Sequence, residues 1–109
     1  DKYRGCLIGG AAGDALGYAV EFLDDAAIFS KYGENGITEY SLVNGVAEIS
    51  DDTQMTLFTA NALLLGTTRG MTRGIMGSYP SYISLCYKEW LRTVYQLSKM
   101  VRMEHLKNR

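Results

Sequence analysis

Residues 50–65 read SDDTQMTLFTANALLL, a polar tetrapeptide followed by a long apolar run. The apolar residues recur at three- and four-residue steps, the spacing of one face of an α-helix: Met55, Phe58, Ala62 and Leu65. Three further leucines widen that face: Leu57, Leu63 and Leu64. We therefore predict a deeply buried helix that begins at Ser50 and is ended by Gly66 and Thr67.

The N-terminal segment, residues 2–20, also has nearly helical apolar spacing. Its glycines recur every fourth residue and would form one stripe on a helix: Gly5, Gly9, Gly13 and Gly17. Because each glycine inside a helix costs about 0.8–1 kcal/mol relative to alanine, we expect the stripe to allow close approach of another backbone or a ligand. A strand at residues 6–8 followed by a glycine turn is the competing interpretation, but the dinucleotide-binding pattern G-x-G-x-x-G is absent.

Shorter signals predict the elements between these two helices. Asp24 and Asp25 are typical N-terminal caps for a short helix over residues 26–32, which Gly33 would end. Residues 37–49 contain Asn-Gly, a strong signal for a hairpin turn. We predict an irregular excursion or a small hairpin there.

The C-terminal half is predicted to be helical as well. Residues 69–77 are punctuated by glycine and could hold one helical turn. Pro80 fits the first turn of a last, long amphipathic helix. Its apolar stripe runs through Ile83, Cys86, Tyr87, Trp90, Leu91, Val94, Leu97 and Val101. The sequence thus predicts an all-α fold with a short irregular or hairpin insertion before Ser50.

Composition bounds the class of protein. The 109 residues amount to one domain or less, with 47% apolar residues and a formal charge of -1. These values argue against disorder and provide no electrostatic footprint for nucleic acid or an anionic membrane. No apolar stretch reaches the roughly 20 residues that span a bilayer. Cys6 and Cys86 are predicted to be buried free thiols, and with no signal-peptide pattern we expect a cytoplasmic protein.

The tetrapeptide Ser50-Asp51-Asp52-Thr53 places two carboxylates and two hydroxyls at the start of a predicted helix. Capping alone would account for a serine and one acid, because both interact favourably with the unpaired amides of a helix N-terminus. A second adjacent acid is repelled by the first unless a cation or solvent separates them. Since magnesium prefers oxygen ligands, the tetrapeptide also indicates a candidate metal site.

Two other acids stand out. Asp14 lies within the glycine-rich helix, and a carboxylate in apolar surroundings is unfavourable unless it is paired or hydrogen-bonded. It contributes to a site, lies on a solvated face or caps a neighbouring helix. Glu21 follows the same helix, between Val20 and Phe22, and taken alone would be a surface acid.

Taken together, these features resemble the N-terminal signature of the ADP-ribosylglycohydrolase family, which includes the dinitrogenase reductase-activating glycohydrolases. The motifs that carry the resemblance are Gly13-Asp14-Ala15-Leu16-Gly17, Val20-Glu21-Phe22 and Ser50-Asp51-Asp52-Thr53-Gln54-Met55-Thr56. Further blocks match at Asn35-Gly36-Ile37, Arg69-Gly70, Gly77-Ser78 and residues 87–93, so that the resemblance covers nearly the whole chain.

The resemblance implies an all-helical fold with a two-metal centre of Mg²⁺ or Mn²⁺. It implies hydrolysis of the bond between ADP-ribose and a protein side chain through an oxocarbenium-like transition state. Carried over, Ser50, Asp51 and Asp52 would bind metal. Glu21 would lie near the reacting ribose, and Asp14 would be a supporting acid. The expected partner is an ADP-ribosylated protein or an ADP-ribose-like small molecule.

The sequence also departs from the family pattern. The family completes its metal site with a second acidic cluster, Asp-x-Asp-Ser/Thr, near its C-terminus, whereas this chain has no aspartate after Asp52. Members are also well over twice as long, which predicts that residues 1–109 are the N-terminal part of a domain whose second half is absent. We therefore expect an under-ligated site with poor or no activity, and self-association through exposed apolar helices.

Two alternatives stay open. The first is a non-catalytic helical remnant that acts as a self-associating interaction module. The second is a metal-independent nucleotide binder that uses the glycine-rich segment, although the lysine of a phosphate-binding loop is absent there.

Overall fold

The computed structural model describes residues 1–75 and 77–108. Within these ranges 72% of the residues are helical, in four helices. The elements are α1 (Lys2–Tyr18), α2 (Asp25–Tyr32), β1 (Leu42–Val43), β2 (Val46–Ala47), α3 (Asp51–Arg73) and α4 (Tyr79–Lys107). The predicted all-α fold with a small hairpin before Ser50 is confirmed. None of the described helices has the length and the apolar composition of a membrane-spanning segment.

The chain forms two compact units, residues 1–54 and residues 55–109. The first contains α1, α2, the hairpin and the start of α3, and the second contains the rest of α3 together with α4. Part of the predicted turn at residues 69–77 lies outside the described residues.

Local signals define α2 in the first unit. The Asp24 carboxylate accepts a hydrogen bond from the Ala27 amide at 2.8 Å and caps the start of the helix. Gly33 ends the helix with a φ of 87°, in the left-handed region that favours glycine. The predicted cap and end of α2 are therefore confirmed.

The hairpin turns at the predicted Asn-Gly pair. Asn44 and Gly45 have φ values of 52° and 79°, and a two-residue type I′ turn requires positive φ at both positions. The strands pair antiparallel, Val43 with Val46 and Leu42 with Ala47. Just before β1, the Tyr40 hydroxyl donates to the Ala12 carbonyl of α1 at 3.3 Å and connects the hairpin segment to the glycine-rich helix.

The second unit has its core between α3 and α4. Ala62 of α3 is completely buried and packs with the buried Tyr82 and Cys86 of α4. A hydrogen bond of 2.7 Å between Thr59 Oγ1 and the Tyr87 hydroxyl also joins α3 to α4. Partly buried residues complete the packing: Phe58, Leu65 and Ile83.

The prediction that Gly66 and Thr67 end the third helix is wrong, because α3 continues to Arg73. Gly66 is buried, and a Cβ atom at this position would lie 2.8 Å from the ring of Tyr82. The close packing of α4 on α3, rather than the end of a helix, is therefore the reason for glycine here.

The predicted deep burial of α3 is also wrong. The described core covers only the side of the helix that carries Ala62. Three leucines are therefore 42–67% exposed: Leu57, Leu63 and Leu64. Cys86 is buried as predicted, but Cys6 is exposed.

The glycine stripe of α1 does not allow close approach of another backbone among the described residues, contrary to expectation. An added Cβ atom would meet nothing within 4 Å at any of its four positions: Gly5, Gly9, Gly13 and Gly17.

Gly66→Ala tests whether packing selects this glycine. Alanine is the better helix residue by about 0.8–1 kcal/mol, but its methyl group would overlap the buried Tyr82 ring. We expect a net loss of about 1–3 kcal/mol in the free energy of unfolding, measured by urea denaturation. Gly9→Ala is the matched control, because its Cβ position is open, and we expect it to stabilise α1 by up to about 1 kcal/mol. Equal stabilisation by both substitutions would contradict the packing argument.

Candidate active site

The candidate site is built around the carboxylate of Asp14, which is half-buried on α1. Both of its oxygens accept hydrogen bonds from the start of α3. Oδ1 accepts from the Ser50 hydroxyl at 2.6 Å. Oδ2 accepts from the Ser50 amide at 2.9 Å, from the Thr53 amide at 3.3 Å and from the Thr53 hydroxyl. The Asp14 carboxylate thus accepts four hydrogen bonds, two from Ser50 and two from Thr53, both of which lie far from it in sequence.

These contacts cap α3. The first amides of a helix lack partners within the helix, and the Thr53 amide finds its acceptor in Asp14, on a different helix. Ser50 precedes the helix, and its hydroxyl oxygen accepts a hydrogen bond from the Asp52 amide at 3.1 Å while it donates to Asp14. Ser50 therefore caps its own helix, and Asp14 caps a neighbouring one, as one of the alternatives from the sequence predicts.

The surroundings of Asp14 favour its charged form. Desolvation alone would raise the pKa of this carboxyl group, but the hydrogen bonds from Ser50 and Thr53 outweigh it, so that the pKa lies below its ordinary value. Ser50 and Thr53 are each only 7% exposed. The carboxylate therefore replaces the water that these donors would bind in an unfolded chain.

Asp51 and Asp52 occupy the first turn of α3 and are exposed, although the residues on either side of them are buried. The helical repeat of 3.6 residues explains the contrast, because it places Ser50 and Thr53 on one side of the helix and turns the two residues between them away. Two carboxylates are thus accessible next to a buried hydroxyl group.

The oxygen atoms of Ser50, Asp51 and Asp52 are of the type that a hard cation binds. Mg²⁺ and Mn²⁺ bind carboxylate and hydroxyl oxygens, and the Ser50 hydroxyl, engaged once as donor and once as acceptor, keeps one lone pair. Within residues 1–75 and 77–108, however, no group of three or more histidine, cysteine or acidic side chains is arranged to hold a metal ion. The cluster itself offers two carboxylates and one hydroxyl group.

Glu21 lies outside the hydrogen-bonded network of Asp14. It is exposed in the turn that follows α1, where its amide donates to the Tyr18 carbonyl at 3.4 Å. The amide and hydroxyl groups of Ser50 and Thr53 donate to Asp14 and not to Glu21. The place of Glu21 beside a reacting ribose stays a prediction.

Thr53 has a role that its sequence context did not reveal. It is buried, and both its amide and its hydroxyl group bind Asp14. The available signal is its spacing, because a residue three positions after Ser50 shares one side of a helix with it. Two hydroxyl groups at this spacing reach the same acceptor.

A comparison with models of known protein families identifies the family to which the chain belongs. The family model described as ADP-ribosylglycohydrolase matches residues 1–107. The chain belongs to the ADP-ribosylglycohydrolase family. No curated protein and no solved structure matches it significantly. ADP-ribosylglycohydrolases are generally metal-dependent and act on ADP-ribosylated substrates.

Asp14→Asn tests the charge that holds α1 and the start of α3 together. The amide keeps the size of the side chain but turns an N–H group toward the donors of Ser50 and Thr53, so we expect a loss of about 2–4 kcal/mol in the free energy of unfolding. The pKa is lowered by folding, so the contribution of Asp14 is present above the unfolded-state value near 3.8. It is lost as the pH falls through the folded-state pKa.

Urea denaturation from neutral to acidic pH measures both effects. The wild-type protein should lose part of its stability in the acidic range, and this part should be missing in Asp14→Asn. Glu39→Gln changes an exposed carboxyl group of the same unit and should keep the wild-type acid dependence. An Asp14→Asn protein with wild-type stability at every pH would contradict the capping role.

Proposed function

We propose that this chain contributes α1 and the start of α3 to a divalent-metal site that hydrolyses the bond between ADP-ribose and a modified protein side chain. The observation that carries the proposal is the Asp14 network. It holds Ser50 and Thr53 inward and leaves Asp51 and Asp52 accessible on the first turn of α3. Membership of the ADP-ribosylglycohydrolase family supports the reaction class.

Ser50, Asp51 and Asp52 are the residues proposed to hold Mg²⁺ or Mn²⁺. A bound divalent ion would supply Lewis acidity and an anchor for the ribose hydroxyl groups. Asp14 is a positioning residue in this proposal, because it binds Ser50 directly and holds the first turn of α3 in place. A fixed first turn keeps neighbouring carboxylates in a constant arrangement, as a metal site requires.

Glu21 is the proposed catalytic carboxylate. Glycosidic bonds break through a transition state with positive charge on the sugar ring, which a nearby carboxylate stabilises. The same group can accept a proton from attacking water or donate one to the leaving atom. Glu21 is exposed in a turn between α1 and α2, so its carboxylate is accessible to a substrate.

The number of ligands limits the affinity expected of this chain. Hard divalent cations take about six or more oxygen ligands, whereas the cluster offers two carboxylates and one hydroxyl group, and no aspartate follows Asp52. Water or groups from outside residues 1–109 must complete the coordination. We therefore propose that the 109-residue chain binds metal weakly and turns over slowly by itself.

A second candidate function is that of a self-associating interaction module without catalysis. Apolar side chains of α4 favour it. Five of them, from Leu91 onward, are 60–67% exposed: Leu91, Tyr95, Met100, Val101 and Leu106. Such a module needs no divalent ion, so that metal titration separates the two candidates.

Isothermal titration with MnCl₂ tests the metal proposal. We expect saturable binding by the wild-type protein and affinity weaker by at least about tenfold in Asp51→Asn. Asp25→Asn is the matched control, because Asp25 is also an exposed aspartate in the first turn of a helix and also adjoins a second aspartate. It should keep the wild-type affinity, since no paired buried hydroxyl accompanies it.

The reaction is tested by the release of ADP-ribose from an ADP-ribosylated protein in the presence of Mg²⁺. Slow release that is lost in both Glu21→Gln and Asp51→Asn, and kept in Asp25→Asn, is the expected result. Identical Mn²⁺ heats in all variants, or none in any, would reject the metal site and leave the interaction module.

A further inference from the structure

The end of α1 and the hairpin segment line a common pocket of about 310 Å³ within the first unit. Ala15 and Ala19 are four residues apart and share one side of the helix end, where their small side chains add little bulk. Val43 of β1 lines the pocket from the hairpin. We call this the α1–hairpin pocket. Ligand pockets have volumes of about 300–1,000 Å³, so this one suits a single side chain better than a whole nucleotide.

Two aromatic residues also line the α1–hairpin pocket, Tyr18 at the end of α1 and Phe22 in the turn that follows. Tyr18 is 39% exposed and Phe22 is 86% exposed, so that both rings are accessible to a ligand. The face of an aromatic ring attracts cations, and the guanidinium group of arginine more often than the ammonium group of lysine.

Glu48 gives the α1–hairpin pocket a negative charge. It is exposed, and the ion pairs found among residues 1–75 and 77–108, Arg4 with Asp1 and Arg92 with Glu89, do not involve it. The whole unit of residues 1–54 is acidic, with ten acidic and three basic residues and a formal charge of -7. A cation is therefore attracted both by the carboxylate in the pocket and by the field of the unit.

We propose that the α1–hairpin pocket binds an unmodified arginine side chain of a protein substrate, close to the ADP-ribosylated residue. A guanidinium group is planar, stacks on aromatic rings and pairs with carboxylates, which matches Tyr18, Phe22 and Glu48. The aliphatic stem of arginine can pack on the alanines of the pocket. Lysine carries a compact and strongly hydrated charge, so that we expect it to bind more weakly.

The α1–hairpin pocket adjoins the proposed hydrolase site without coinciding with it. Ala15 follows Asp14, and one residue corresponds to about 100° of rotation around a helix. Asp14 therefore contacts Ser50 and Thr53 from one side of α1, whereas Ala15 lines the pocket on a neighbouring side. The part of the proposal that concerns a substrate rests on the proposed function, but the binding of an arginine side chain does not.

The base of ADP-ribose is the competing occupant, because it can also stack on aromatic rings. Charge argues against it, since the diphosphate of ADP-ribose is negative and would be repelled by Glu48 and by the acidic unit. No basic residue lines the pocket in the part of the chain that the structure describes. Arginine satisfies both the aromatic and the acidic groups.

Titration of the full chain with N-acetyl-arginine amide in metal-free buffer, followed by NMR, tests the pocket. We expect saturable shifts of the amide signals of residues that line the pocket. Glu48→Gln and Phe22→Leu should each weaken binding by roughly two- to fivefold, the range of exposed ion pairs and cation–π contacts. Glu39→Gln, an exposed acid of the same unit outside the pocket lining, should keep the wild-type affinity. The corresponding citrulline amide, which lacks the charge of arginine, should bind more weakly than either variant binds arginine.

Two ADP-ribosylated peptides that differ only in a neighbouring arginine or citrulline test the role in a substrate. We expect the arginine peptide to bind more tightly than the citrulline peptide in the presence of Mg²⁺, and this difference to shrink in Glu48→Gln. Binding is measured directly, so it needs no turnover. An absence of ADP-ribose release with this difference in affinity intact would reject the hydrolase and keep the arginine pocket.

Four outcomes would overturn the proposal. The first is no saturable binding of the arginine amide. The second is equal binding of the arginine and citrulline amides, or affinity that Glu48→Gln leaves unchanged. The third is displacement of the arginine amide by ADP-ribose in metal-free buffer, which would assign the pocket to the base. The fourth is equal affinity for the two ADP-ribosylated peptides, which would separate the pocket from substrate recognition.

Discussion

The hydrogen bonds of the Asp14 carboxylate are the constraint on which the candidate site depends. Its donors, from Ser50 and Thr53, are buried and have no acceptor within their own helix, and the half-buried carboxylate would be unfavourable without donors. The hydrogen bonds therefore offset the cost of burying both the carboxylate and its donors. The contact spans 36 residues of sequence, so it fixes the start of α3 relative to α1 instead of merely completing a helix end.

The same interaction explains the order of residues in the Ser-Asp-Asp-Thr tetrapeptide. Hydroxyl groups three residues apart lie on one side of α3 and meet one acceptor, whereas the two aspartates between them remain exposed. Capping requires only the buried positions and one acid. Asp51 and Asp52 are both exposed in the first turn of α3, and the proposed metal site would account for the presence of two adjacent acids there.

Features that depend on a few neighbouring residues could be predicted from the sequence. Asp24 caps α2, Asn44-Gly45 makes the hairpin turn, and Pro80 lies in the first turn of α4. Features that depend on distant partners could not. Gly66 was predicted to end the helix because the sequence does not reveal that the ring of Tyr82 packs against it. For the site, the sequence predicted that Ser50, Asp51 and Asp52 lie at the start of a helix, while their metal-binding role stays a prediction. It did not decide which of several roles Asp14 has, since the partners of Asp14 lie far along the chain.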